Sequence, residues 1–262
     1  MCRAARSSAD YALVVPRIRD QAVPLRRWDW SETSQAALLF SREHGLVRGL
    51  AKGAKRERGA FSGGIEPLTL GEFGAIIKPS TELATLTDWD LREVFRGPRA
   101  SSRGFLLGHY AADLVRACVR DADPHAALWD ALLRLLRALD EPAGRDAALA
   151  RFQWSILTET GYAPELPATL THQPGADGDA TWAYDPAGGV FVPALAPRPD
   201  VWRIRDESLR AIADLAAPSS TTPAPAPGET IGRVNRFLAA CIARTLDEPP
   251  PTMRRLFDEP KR

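Results

Sequence analysis

Residues 34–58 read SQAALLFSREHGLVRGLAKGAKRER. The stretch opens on an apolar run, Ala36 to Phe40, passes through Arg42-Glu43-His44-Gly45, and resumes as Leu46 to Ala51. Two short apolar runs around a connection of a few residues that contains glycine predict a β-hairpin. Gly45 suits the turn because glycine tolerates a positive φ. The second strand runs into cations, and Arg42, Arg48, Lys52, Lys55, Arg56 and Arg58 are offset only by Glu43 and Glu57. Cations on a strand end with open backbone around them suit a phosphate backbone better than a shaped small-molecule pocket. The plain alternative is a solvated surface loop.

The 262-residue chain carries a net charge of +1, so it is not a polycation as a whole. Its charge is nonetheless uneven. Residues 1–60 hold twelve Arg or Lys against six acids, and residues 61–97 hold six acids against three bases. A local basic surface on a nearly neutral protein is what steers polyanions. Lysine is rare, at positions 52, 55, 78 and 261 only, and two of these four lie in the quoted stretch. Three cysteines, Cys2, Cys118 and Cys241, are too few and too widely spaced for a disulfide framework. No apolar leader and no membrane-length apolar run is present, which places the protein in the cytoplasm, away from membranes.

The chain before residue 96 reads as all-β. Tyr11–Ile18 is a strand bent or demoted by Pro16, Pro24–Trp30 a basic and aromatic connection, Leu68–Lys78 a strand bent at Gly71 and Gly74, and Leu83–Thr87 a short last strand. Asp88, Asp90 and Glu93 read as a helix entry, with a divalent-metal cluster as the less favoured alternative. With the hairpin these make about five strands, which suits an OB-like barrel, with an antiparallel sandwich as the alternative. After Pro98 the apolar period becomes helical. Phe105, Leu107, Ala111, Leu114, Val115, Cys118 and Val119 mark one inward face, and Asp123-Pro124 reads as the start of the next helix. Helices are also expected over Arg145–Glu159, 206–216 and Thr230–Leu246. Residues 163–200 lose periodicity, and 218–227 read as an extended linker. The fold class is therefore α+β: an OB-fold nucleic-acid-binding domain at 8–95, then a helical domain at 98–262 with an irregular insertion near 163–200.

The order Ser41-Arg42-Glu43-His44-Gly45-Leu46-Val47, then Leu50-Ala51-Lys52-Gly53-Ala54-Lys55-Arg56, resembles the N-terminal signature of the bacterial RecO family of recombinational repair proteins. Phe61 to Leu68, Leu83 to Asp88, and Thr160-Gly161-Tyr162-Ala163-Pro164-Glu165-Leu166 follow in the family's order, so the resemblance runs along nearly the whole chain. It implies a non-enzymatic mediator of the RecF pathway. Such a protein binds single- and double-stranded DNA, anneals complementary strands, and works with RecR and single-strand-binding protein to load recombinase.

Many members of that family carry two CxxC zinc-binding pairs where this chain has Thr169, His172, Val192 and Leu195. One histidine cannot build a structural zinc site, so no metal and no cofactor is expected. Trp182, Tyr184 and Phe191 are expected to hold the insertion by packing, with a hairpin turn at Asp185–Gly189. No phosphate-binding loop, nucleophile elbow or zincin motif occurs, and the four histidines are scattered, so no catalytic residue is assigned. Trp28, Trp30 and Trp89 are candidates for base stacking or for the core. The competing function class is a generic OB-fold adaptor for RNA or for proteins.

Overall fold

The computed structural model describes residues 17–61, 64–78, 81–171, 181–193, 201–217 and 227–257. Strands β1 (Arg17–Asp29), β2 (Gln35–Ser41), β3 (Gly45–Ala51), β4 (Thr69–Ile76) and β5 (Ala84–Val94) close into a barrel in the order β1-β2-β3-β5-β4. Neighbours run antiparallel except β3 and β5, which pair parallel over Gly49–Ala51 and Ala84–Leu86. This crossed five-strand closure is the OB-like arrangement expected from the sequence.

The unbroken apolar run of β2 has a structural cause. Every residue of the strand is buried, because both of its faces are covered. Ala37 and Leu39 fill the barrel with Val47, Ile65, Phe73, Leu86 and Trp89. Leu38 and Phe40 point the other way, into a core shared with the helices. The bends anticipated in β4 are present, as register shifts at Leu70/Gly71 and Gly74/Ala75. A side chain at Gly71 would come within 2.3 Å of the Trp89 ring, so glycine there lets the indole lie across the strand.

Two readings of this half need correction. Pro24–Trp30 is not a connection but, up to Asp29, the second half of β1. Pro24 is tolerated because it sits at the register shift between Pro24 and Arg26, while its carbonyl accepts from Leu68 N at 2.9 Å. Residues 88–93 do not enter a helix; β5 runs on to Val94 because β4 offers a ladder as far as Thr69. The acids on it pair sideways, Asp88 with Arg19, Asp90 with Arg92 and Glu93 with Arg137. The strand expected from Tyr11 is described from Arg17 onward, and Pro16 lies outside the described residues.

Helices α1 (Gly97–Ala100), α2 (Ser102–Cys118), α3 (Ala126–Ala138) and α4 (Arg145–Glu159) follow. The Ser101 hydroxyl caps α2 by accepting from Gly104 N at 3.0 Å. Phe105, expected inward, is 55 % exposed and stacks on His109, with ring centroids 4.2 Å apart. Asp123 does not cap α3; His125 holds the N-cap position, without a side-chain hydrogen bond. After α4 come β6 (Thr181–Asp185), β7 (Val190–Pro193), β8 (Trp202–Arg205), α5 (Asp206–Ala216), α6 (Gly228–Thr245) and α7 (Pro251–Phe257). The linker expected at 218–227 lies, apart from Pro227, outside the described residues.

The barrel and the helices share one core. Val23, Leu25, Phe40, Leu46 and Leu70 from the strands meet Leu107, Tyr110, Trp129 and Leu136. The rings of Phe40 and Trp129 pack at a tilt of 58° with centroids 5.9 Å apart. Deeper in, Tyr110 donates to Gln153 Oε1 at 2.9 Å, Gln153 Nε2 donates to Asn235 Oδ1 at 2.8 Å, and Asn235 Nδ2 donates to the Asp146 carbonyl at 2.9 Å. That chain ties α2, α4 and α6 together with each polar group satisfied.

The insertion is a small sheet in the order β7-β6-β8, of which the sequence showed the first hairpin and hid β8. Gly189 N closes its turn on the Asp185 carbonyl at 2.9 Å. Tyr184, Phe191 and Trp202 pack with Phe237 of α6, and Trp182 donates to Asp206 at 3.0 Å. Of the four positions compared with zinc ligands, His172 and Leu195 lie outside the described residues. Burial pushes the Cys118 thiol up to about 11 and Cys241 up to about 12, so both stay protonated at neutral pH. Cys2 lies outside the described residues.

Candidate nucleic-acid interface

Directly paired residues of antiparallel strands share a face of the sheet. The register of β1, β2 and β3 therefore sets two rows on the outer face of the barrel. One row is Arg26, Leu38, Arg48, and the next is Trp28, Ala36, Leu50. Arg26, Trp28 and Arg48 are exposed, whereas Leu38 and Ala36 between them are buried. Arg26 and Arg48 thus flank buried Leu38, and the Trp28 indole stands on the same face as Arg26. Arg26 was not among the residues picked out from the sequence. The available signal was the Arg26-x-Trp28 spacing, which places both on one face once the segment is known to be a strand.

Beyond β3 the chain enters the basic loop, which is stitched to the turn between β1 and β2. Lys55 N donates to the Thr33 carbonyl at 3.1 Å, and Gly53 N donates to Ser34 Oγ at 3.4 Å. The Lys55 ammonium pairs with Asp29 at 2.9 Å and donates to the Ser31 carbonyl at 3.4 Å. Ala54 and Phe61 are buried and anchor the loop in the mouth of the barrel. Lys52, Arg56 and Arg58 are left exposed, and their side chains make no hydrogen bond or ion pair to another described residue, although Arg56 N donates to the Gly53 carbonyl at 3.1 Å. Trp30, on the stitched turn, is 57 % exposed.

The six cations expected to form one surface do not all lie together. Arg42 sits at the tip of the β2–β3 hairpin and Lys52 just past its other end, about 20 Å away along a seven-residue strand. Arg48 lies between and pairs with Asp121 at 3.1 Å. Lys52, Lys55, Arg56 and Arg58 form the compact group. Arg42 belongs to a tip occupied with structure. Buried Asp20 accepts from Ser41 Oγ, from Glu43 N at 2.8 Å, and faces His44 Nδ1 at 3.1 Å. These three side-chain types invite a triad reading, but the Ser41 hydroxyl donates to Asp20 and accepts from the His44 backbone N–H at 3.2 Å rather than meeting the His44 ring, and it is fully buried, so it cannot meet a substrate. Gly45 has φ +65°, and its Cα stands against the backbone of Asp123.

The remaining candidates resolve as structure. Trp89 is buried in the barrel. Asp88, Asp90 and Glu93 are spent on arginines, and among the described residues no group of three His, Cys, Asp or Glu could hold a metal ion. No described helix is long and apolar enough to cross a membrane. A separate groove of about 600 Å³ lies on the helical side, where exposed Arg203, Arg205 and Arg236 surround Trp202, Ile204 and Phe237. Arg233 borders it but is committed to Glu207 and Glu229.

Comparison with known proteins gives two family matches. The N-terminal model of recombination protein O matches residues 15–95, and the C-terminal model matches residues 102–254. A protein named DNA repair protein RecO from Anaeromyxobacter sp. strain Fw109-5 is 30 % identical over 251 residues, 93 % of this chain and 96 % of its own length. The protein of that name from Anaeromyxobacter dehalogenans strain 2CP-C is 31 % identical over 252 residues, with the same coverage. The one from Azoarcus sp. strain BH72 is 30 % identical over 238 residues, 88 % of this chain and 90 % of its own.

Proposed function

Because the chain belongs to the recombination protein O family, we propose that it is a non-enzymatic DNA-binding protein of recombinational repair, and that its DNA surface is the basic loop after β3 with the exposed residues Arg26 and Trp28 of β1 and Arg48 of β3. The observation that carries this reading is the set of exposed cations Lys52, Arg56 and Arg58, whose side chains pair with no other described residue, near exposed Arg26 and Arg48. Lys55 helps less by contact than by holding the loop on the β1–β2 turn. Such a surface reads phosphate, so binding is sequence-tolerant and sensitive to salt. Annealing follows from the same chemistry, since two strands meet only where their backbone repulsion is neutralised. The working division is a DNA-binding barrel at 8–95 and a helical partner-binding domain at 98–262. RecR and single-strand-binding protein are the partners, and the arginine-rimmed groove at Trp202 and Phe237 has the charge and apolar floor to take the acidic tail of the latter.

The test is fluorescence anisotropy with labelled oligonucleotides across a salt series. Replacing Lys52, Arg56 and Arg58 together by Ala removes three phosphate contacts, and the log–log salt slope on single strands should fall by about 2. Strand annealing should weaken in parallel, while thermal melting stays put because exposed unpaired charges contribute little to stability. A folded triple variant that keeps its affinity and its slope places the DNA elsewhere.

A further inference from the structure

Two indoles stand in water beside the cationic loop. Trp28 is 39 % exposed and Trp30 57 % exposed, and neither stacks on another ring among the described residues. Large exposed aromatics at a charged surface point to a partner with an apolar face. Their supports are rigid. Trp28 is fixed on β1 by its register opposite Ala36 of β2, which is fully buried. Trp30 sits on the turn closed by its own N–H to the Ser34 carbonyl at 3.1 Å, and that turn is bonded to the basic loop. Aromatic and cation are thus held at a fixed spacing. That pairing suits a single strand, whose bases are free to leave one another, and not a duplex, whose base faces are already stacked.

We propose that Trp28 and Trp30 each take an unstacked base by its face and so make this surface select single strands over duplex. The proposal rests on the reading of the barrel face as the DNA surface. A base held by its face keeps its Watson–Crick edge free, so the bound strand can still pair with a complement. Once paired and restacked, the base loses the indole, and the duplex is retained by phosphate contacts alone. The surface would therefore grip the substrate of annealing and loosen on the product.

The experiment compares three probes of equal length: a single-stranded oligonucleotide, the corresponding duplex, and an abasic phosphodiester strand. The proteins are wild type, Trp28→Ala/Trp30→Ala, and Trp28→Phe/Trp30→Phe, each checked by thermal melting. The double Ala variant should lose about tenfold or more in single-strand affinity. Duplex and abasic affinities should stay within about twofold of wild type, and the Phe pair should recover most of the loss. Equal losses on single strand and duplex, loss on the abasic strand, or no loss at all would overturn the stacking. The two readings fail separately: an unchanged salt slope in the Lys52/Arg56/Arg58 variant removes the phosphate surface, and an unchanged strand selectivity in the tryptophan variant removes this one.

Discussion

Replacing Gly45 by Ala should damage stability far more than replacing the exposed cations of the basic loop. At φ +65° an L-residue costs about 1–2 kcal/mol. The added methyl would also sit 2.3 Å from the Asp123 carbonyl oxygen and 2.6 Å from its nitrogen, and backbone cannot rotate aside as a side chain can. The hairpin tip must then retreat by about an ångström, giving up the Ala122 N–H bond to the Leu46 carbonyl, now 3.1 Å, worth about 1 kcal/mol. Part of the burial of Leu46 goes with it, about another 1 kcal/mol. The sum, about 3–4 kcal/mol, corresponds to a fall in Tm of roughly 6–15 °C for a chain of this size. The control is Gly59→Ala, where a new methyl meets nothing within 4 Å. Differential scanning fluorimetry on the three proteins reads the effect. A Gly45→Ala protein that melts within about 2 °C of wild type would refute the close approach of hairpin and loop, since those distances leave no room for a silent substitution.

Stability should also fall on acidification through His109. Burial is the main cause that lowers its pKa from 6.5, so the unfolded chain takes up the proton first as the pH drops. The stability held above pH 6.5 is lost progressively below it, and the difference in Tm between neutral and mildly acidic buffer should shrink in His109→Gln. An acidic C-terminal peptide of single-strand-binding protein should bind with micromolar-class affinity in calorimetry, and Arg203→Ala/Arg236→Ala should weaken it several-fold without altering the DNA salt slope. Binding unaffected by that pair would remove the groove as its site.

What the sequence made legible follows from range. The hairpin at Ser34–Ala51, the helix Arg145–Glu159 and the helix at 206–216 are written in local period and turn chemistry, and they stand where the pattern puts them. Pro24 hid the second half of β1, because proline normally ends a strand and the register shift that accommodates it depends on β2. Asp88, Asp90 and Glu93 imitated helix caps because two of their arginine partners, Arg19 and Arg137, lie 69 and 44 residues away. The cation cluster was visible as composition, but its geometry was not. That Arg48 meets Asp121, 73 residues on, and that Arg26 stands across Leu38 from Arg48 depend on tertiary pairings that no window of sequence contains.

The core shared by strands and helices restricts how this architecture can be cut and recombined. OB-like barrels lend themselves to shuffling when their outer faces are wet. Here Val23, Leu25, Leu38, Phe40, Leu46 and Leu70 line an outer face that packs into one core with helix residues such as Leu107, Tyr110 and Trp129. A chain ending at Phe95 would present that face to solvent as a contiguous apolar patch and would self-associate. The barrel is therefore not a transplantable cassette. The DNA surface proposed for it travels with the helical half or not at all, and any chimera that exchanges one half must supply a matching complement to Phe40 and its neighbours.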